Sequence, residues 1–293
     1  MGTPRWHLVQ REGVRLGCLD WGRSGSSVVL LHGIAGYAAE WAETASWLSQ
    51  TFRVVAIEQR GHGRSEREPD DVSPSAFVAD AEMWVEQLEL APAVVVGQSF
   101  GGLVAFLLAS RRPEVVRALV IVEATPAQDV ESPAVVRRWL ESWPVPFASR
   151  EAALAYFGAG TAWSRAWVGG LEERPDGLWP SFAPEVIVAA LAEASRRDWW
   201  DDWARIRCPV LVVRGADGTA GGAAQRMVEA LSTAQAVEVE EAGHDLHLEQ
   251  PRRVDEDDLG AIGSEDARHA APGGLRFGRH DACLLYTSPS PRD

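Results

Sequence analysis

Gly97-Gln98-Ser99-Phe100-Gly101 sets a serine between two glycines, and the flanking residues decide what that serine can do. The apolar run Ala93-Val94-Val95-Val96 precedes it and a helical run, residues 102–109, follows. G-x-S-x-G between a short strand and a helix is a nucleophile elbow. The strand-to-helix turn tolerates only small neighbours, hence the glycines. It lifts the Ser99 hydroxyl above the sheet, and the helix N-terminus behind it favours developing negative charge. The chemistry expected is nucleophilic attack on an acyl carbon.

The groups that such a serine needs fall at other strand ends. Val28-Val29-Leu30-Leu31 reads as a buried strand running into His32-Gly33-Ile34-Ala35-Gly36. A His-Gly loop there supplies one backbone N–H of an oxyanion hole, assigned to Ile34, and the second donor is the N–H of Phe100. Each donor is worth roughly 3–4 kcal/mol to a tetrahedral intermediate. Downstream, the β run Val237-Glu238-Val239 leads into Glu241-Ala242-Gly243-His244-Asp245-Leu246-His247. His244, directly after the glycine, is the expected general base, taking the Ser99 proton and returning it to the leaving group. His32 and His62 are read as structural braces and His247 as a local hydrogen-bonding residue. Two carboxylates compete to orient His244. Asp217 lies on the loop after the strand that begins near Cys208, in the chain order Ser…Asp…His. Glu123 ends the run Ala118-Leu119-Val120-Ile121-Val122. Both strand ends open on the same rim of a parallel sheet, so both could reach His244.

The strands and helices that must hold these groups follow from periodicity. Residues 14–20, 28–31 and 53–57 read as early strands, the last short and apolar as a strand covered on both faces should be. Ser73-Pro74 starts a helix with an N-cap and a first-turn proline. Its stripe of Phe77, Ala81, Trp84, Val85 and Leu88 packs on the sheet. Residues 223–231 form a later helix. Residues 127–206 read as a helical cap over the serine, with helix starts at Ser132-Pro133 and Ser149, a stop at Gly158 and a further helix within 183–197. Eight tryptophans fall in it, Trp139 to Trp203. Most are expected to pack, with one or two facing a cavity that favours an apolar acyl group.

In Leu31-His32-Gly33, Glu58-Gln59-Arg60-Gly61-His62-Gly63-Arg64-Ser65, the serine pentapeptide and Gly243-His244, the chain resembles the α/β-hydrolase superfamily from about Trp6 to about Pro251. The resemblance implies an α/β fold, a mostly parallel sheet flanked by helices, with the cap inserted after the sixth strand. The core would span 1–126 and 207–254. It further implies a cofactor-independent serine hydrolase, acting on an ester or lactone through an acyl-enzyme, with a small-molecule substrate and no metal. A C–C bond hydrolase, a perhydrolase and a non-catalytic ligand-binding homologue are the alternatives. Two departures stand out. The family usually places its acid three residues after a glycine, where this chain has Gly218, so that Asp217 is one residue early. The turn after strand four usually begins with aspartate, and here it is Glu58.

Composition narrows the partners. The 293 residues carry 28 basic and 42 acidic side chains, a formal charge of −14, which disfavours nucleic acid and anionic membrane. Three cysteines form neither a zinc spacing nor a disulfide framework. With no apolar signal core and no long apolar run, a cytoplasmic location is expected. The last eleven residues, 283–293, read as the translation of a transposase-type sequencing-library adapter. The acidic, aperiodic stretch after Val254 reads as frameshifted, making 255–293 a tail expected to be disordered.

Overall fold

The structure is a computed structural model that describes residues 3–23, 25–127 and 132–251. Its strands are β1 (Arg5–Arg11), β2 (Val14–Asp20), β3 (Ser27–Leu31), β4 (Arg53–Glu58), β5 (Ala93–Gln98), β6 (Val116–Val122), β7 (Leu171–Arg174), β8 (Gly177–Pro180), β9 (Val210–Gly215) and β10 (Ala234–Val239). Eight of them form one sheet, in the order β1-β2-β4-β3-β5-β6-β9-β10. From β4 to β10 every pairing is parallel, and β2 runs against its neighbours β1 and β4. The sequence reading missed β1, because this half-exposed edge strand, Arg-Trp-His-Leu-Val-Gln-Arg, carries no clear apolar face.

Every residue of β3 and β5 is buried, as parallel strands covered on both faces require. Val29, Leu31, Val95 and Ile121 face one layer, and Val28, Leu30, Val96 and Val120 the other. Helix α1 (Ala42–Leu48) packs on the second face through Ala45 and Leu48. Helices α2 (Pro74–Gln87) and α3 (Phe100–Arg111) cover the first through Phe77, Trp84, Val104 and Phe106. The Ser73 hydroxyl caps α2 by accepting the Ala76 N–H.

Between β6 and β9 the chain forms α4 (Pro133–Glu141), α5 (Arg150–Phe157), α6 (Ala162–Gly169), the β7–β8 hairpin and α7 (Pro184–Ala194). Ser132 and Ser149 are N-cap residues and Gly158, at φ 90°, ends α5, as the sequence indicates. The hairpin was not foreseen, since its strands are only four residues each. Trp143 anchors this insertion, with the rings of Trp139, Phe147, Phe157, Trp167 and Phe182 at 4.8–6.3 Å, mostly edge-to-face. The Trp199 N–H donates to Pro126 O at 2.8 Å, so the chain leaves and rejoins the core at one neck. Beyond it, α8 (Trp200–Trp203) belongs to the core, where Trp203 packs edge-on to Phe106 and donates to Met227 O. Helices α9 (Ala223–Ala230) and α10 (Leu246–Glu249) complete the described core. Cys18 is buried and Cys208 packs against the core, and both thiols are free. Cys283, the frameshift and the adapter-like tail lie outside the described residues.

The turn after β4 is locked to α2 by a buried ion pair. Arg60 donates to both Asp80 oxygens, at 2.6 and 2.8 Å, and Arg11 adds a third contact at 3.2 Å. Removing the carboxylate strands a buried guanidinium, so Asp80→Ala is expected to cost about 3–5 kcal/mol. Urea unfolding of the variant beside wild type measures it.

Candidate active site

The parallel strands direct their carboxyl ends, and the loops after them, to one rim of the sheet. Ser99 stands there between β5 and α3 at φ 50°, ψ −119°, a strained conformation for a residue with a side chain. Its N–H donates to Val122 O, and its carbonyl accepts from Gly102 and Leu103, which holds the turn from both sides. The glycines are sterically required. A Cβ on Gly97 would lie 2.2 Å from Gly101 O, and one on Gly101 would lie 2.3 Å from Leu31 O.

The loop after β3 packs directly on this turn. A Cβ on Gly33 would meet Gln98 Oε1 at 2.2 Å and Ser99 Cβ at 3.4 Å. His62 Nε2 accepts the Ala35 N–H at 3.0 Å, and the Gly36 N–H closes a turn onto Gly33 O. The N–H of Ile34 is left without an acceptor among the described residues. That of Phe100 heads α3, in the first turn where backbone N–H groups have no intrahelical acceptor.

His32 and His62 are braces in the structure too. His32 Nε2 accepts the Gln59 N–H and its Nδ1 faces Gly33 O; His62 Nδ1 faces Arg60 O. Burial keeps both rings neutral, pushing His32 well below the usual histidine range and His62 down to about 4. The motif's Glu58 accepts the N–H of Ala38 in place of the shorter aspartate. Its extra methylene fits because residue 63 is glycine, where a Cβ would lie 2.3 Å from the carboxyl carbon.

His244 sits on the loop after β10, tied to the serine turn by Gln98 Nε2, which donates to His244 O at 2.9 Å. Of the two carboxylates, the structure brings Glu123 to this histidine. Glu123 Oε2 lies 3.5 Å from His244 Nδ1, and the Thr219 hydroxyl lies 2.9 Å from the same nitrogen. Asp217 is on an exposed turn, where its backbone N–H donates to Ala242 O. Glu123 leaves β6 at φ 49° and folds across the exit of β9. There it accepts the N–H groups of Gly215 (2.7 Å), Thr219 (2.7 Å) and Ala220 (3.2 Å). Burial pushes its pKa up, but the hydrogen bonds from His244 and these three amides outweigh it and hold the carboxyl below the usual glutamate range. Gly218 explains the departure in the sequence. A Cβ there would lie 2.1–2.5 Å from the Glu123 carboxylate, so the space that a side chain at 218 would need is filled from β6.

A cavity of about 20 Å³, room for about one water, adjoins the serine turn. Ile34, Trp143, Trp167 and Phe182 give it an apolar wall, and Glu40, Gln98, Asp245 and His247 a polar one. No Arg or Lys is among its lining residues. The insertion closes it, with Tyr37 OH donating to Ala166 O and Trp167 Nε1 to Asp245. Of the sequence's candidate tryptophans, Trp143 and Trp167 face it. His247 is not a local partner, since it reaches Glu40 at 3.1 Å, far away in sequence. A larger open groove of about 1090 Å³, lined by Arg5, His7, Asp20 and Ser49, is at the opposite rim.

A profile of the alpha/beta hydrolase family matches residues 28–256. The chain belongs to the alpha/beta hydrolase family. It is 29% identical to a non-heme chloroperoxidase of Streptomyces lividans over 292 aligned positions, covering 90% of this chain and 100% of that one. It is 38% identical to the sn-1-specific diacylglycerol lipase ABHD11 of Mus musculus over 110 residues, 37% of this chain and 36% of that protein. The solved structure of an E-2-(acetamidomethylene)succinate hydrolase superposes with a TM-score of 0.77 at 23% identity, over 88% of this chain and 97% of the other, which shows the shared fold. Among the described residues of this hydrolase, no helix is long and apolar enough to cross a membrane.

Sequence reasoning passed over Thr219 and Gln98, whose partners lie far off in sequence, and Glu40, which meets the distant His247 as well as the nearby Tyr37 N–H. Two outcomes are expected. Gly218→Ala pushes Glu123 off His244, visible as loss of the His244 contact in a crystal structure. Neutral His62 contributes stability that is complete above its unfolded pKa near 6.5 and lost as pH falls towards about 4. Glu40 and Glu58, raised by burial, act in the opposite sense. His62→Gln should therefore flatten the rise of stability between pH 4 and 6.5 relative to wild type, read by urea titrations at each pH.

Proposed function

We propose that this hydrolase cleaves a carboxylic ester or lactone of a small, largely apolar and uncharged substrate through an acyl-enzyme. The observation that carries the reading is the strained Ser99 turn, packed against the Ile34 loop and facing a rim where His244 meets a buried, ionised Glu123. In this mechanism His244 takes the proton of Ser99 as the hydroxyl attacks the acyl carbon. The N–H groups of Ile34 and Phe100 hold the resulting oxyanion. His244 then protonates the leaving alkoxide, and the same base activates water to release the acid. Glu123, rather than Asp217, is the orienting carboxylate.

The cavity supports the substrate class. Trp143, Trp167 and Phe182 suit an apolar acyl or alcohol group. Asp245, with no Arg or Lys among the lining residues, disfavours a dicarboxylate such as the succinate in the structural relative's name. At about 20 Å³ the cavity must widen to admit substrate, by movement of the insertion around Trp167. The end-to-end alignment with a chloroperoxidase favours one second reading, perhydrolysis, in which peroxide replaces water as the acceptor of the acyl group.

The first test is fluorophosphonate labelling read by intact mass. One adduct per chain, absent in Ser99→Ala, is expected, and no adduct on folded protein would sink the serine mechanism. Glu123→Gln should then slow ester turnover by about 10²–10⁴-fold, with Asp217→Asn near wild type. The reverse order would return the acid to Asp217. Peracetic acid formation from peroxide and acetate, read by oxidation of added bromide and set beside p-nitrophenyl ester hydrolysis, decides between perhydrolysis and plain hydrolysis.

A further inference from the structure

Thr219 occupies a position with no counterpart in a simple three-residue arrangement. Its hydroxyl lies 2.9 Å from His244 Nδ1 and 3.3 Å from Glu123 Oε2, while the direct distance between nitrogen and carboxylate is 3.5 Å. We propose that Thr219 is a positioning residue for His244, its hydroxyl bridging the imidazole to the relocated carboxylate. The inference rests on the proposed serine mechanism with Glu123 as its acid.

Hydrogen-bond direction follows from the donor inventory. An ionised carboxylate only accepts, so the Thr219 O–H must donate to Glu123. The hydroxyl oxygen then accepts from His244, which places the proton on Nδ1 and makes Nε2 the basic nitrogen. The chain Nδ1–H···Oγ1–H···Oε2 therefore selects the tautomer that general-base catalysis needs. The placement is anchored independently of the side chain. The Thr219 backbone N–H donates to the same carboxylate oxygen at 2.7 Å, so the hydroxyl is held at a constant offset from the charge it reads. The need for a bridge arises from the origin of the acid. Glu123 arrives from β6 and reaches Nδ1 only at the long distance of 3.5 Å, and Gly218 leaves the intervening space open to the carboxylate and to its neighbour's hydroxyl.

Thr219→Val keeps the branched shape and the backbone N–H and removes only the hydroxyl. Thr219→Ser keeps the hydroxyl. The measured quantity is the second-order rate of fluorophosphonate labelling at pH 7, with thermal midpoints alongside and Ser99→Ala and Glu123→Gln as references. Thr219→Val is expected to label about 10- to 100-fold more slowly, the scale of one lost hydrogen bond at a reacting group. Thr219→Ser should stay close to wild type. In a Glu123→Gln background, Thr219→Val should add little, because both act on one nitrogen. Labelling of Thr219→Val at the wild-type rate overturns the proposal. So does an equal loss in the serine variant with a lowered thermal midpoint, or full additivity with Glu123→Gln. If Glu123→Gln labels normally while Ser99→Ala does not, the acid assignment fails and Thr219's role fails with it. If Glu123→Gln is slow and Thr219→Val is not, the bridge alone fails.

Discussion

The approach of backbone to backbone at the serine turn governs the rest of the site. Gly97 and Gly101 have no room for a Cβ, because carbonyl oxygens of Gly101 and Leu31 stand where it would go. That contact brings the start of α3, the end of β5 and the loop after β3 within van der Waals reach of one another. The cost is a serine at positive φ, a strain of about 1–3 kcal/mol. It persists because β6 and α3 hydrogen-bond both sides of the peptide. In the proposed mechanism the benefit is that the nucleophile and two oxyanion donors are fixed by the same few atoms, so none of them has to be ordered when substrate arrives.

In the proposed assignment of Glu123 as the acid, one strand supplies the carboxylate and a neighbouring one the amides that hold it. Glu123 satisfies the backbone amides of Gly215 at the end of β9 and of Thr219 and Ala220 in the loop after it, so its charge is held by an element other than its own. Two local features make this possible. The left-handed backbone at Glu123 turns its side chain across β9, and the glycine at 218 leaves the receiving space empty. A longer carboxylate, a strained strand end and a missing side chain compensate one another. The same logic holds at Glu58, whose extra methylene is taken up by the glycine at 63.

The insertion is built on different physics from the core. Its helices are short, and aromatic rings around Trp143 replace the aliphatic layers that the sheet uses. Polar contacts to the core run through Tyr37, Arg67 and Asp245, all on rim loops.

Much of this was legible in the chain. The buried strands declared themselves as β-branched runs, and the N-caps at Ser73, Ser132 and Ser149 and the stop at Gly158 marked helix ends, because these signals depend on neighbours within four residues. The glycine-flanked serine and the order of the histidine loops likewise fixed which residues could be brought to one rim. Edge strand β1 and the short hairpin were not legible, since neither has a repeated apolar face. The choice between Asp217 and Glu123 was beyond sequence as well. It turns on a positive φ at the end of β6, the empty space at Gly218 and three amide donors from the end of β9 and the loop after it. Sequence set the inventory and the local geometry of the site, because backbone preferences act over a few residues. Only tertiary structure decided which carboxylate meets His244, that Thr219 stands between them, and which tryptophans face the cavity, because those depend on distances between segments that the chain order leaves free.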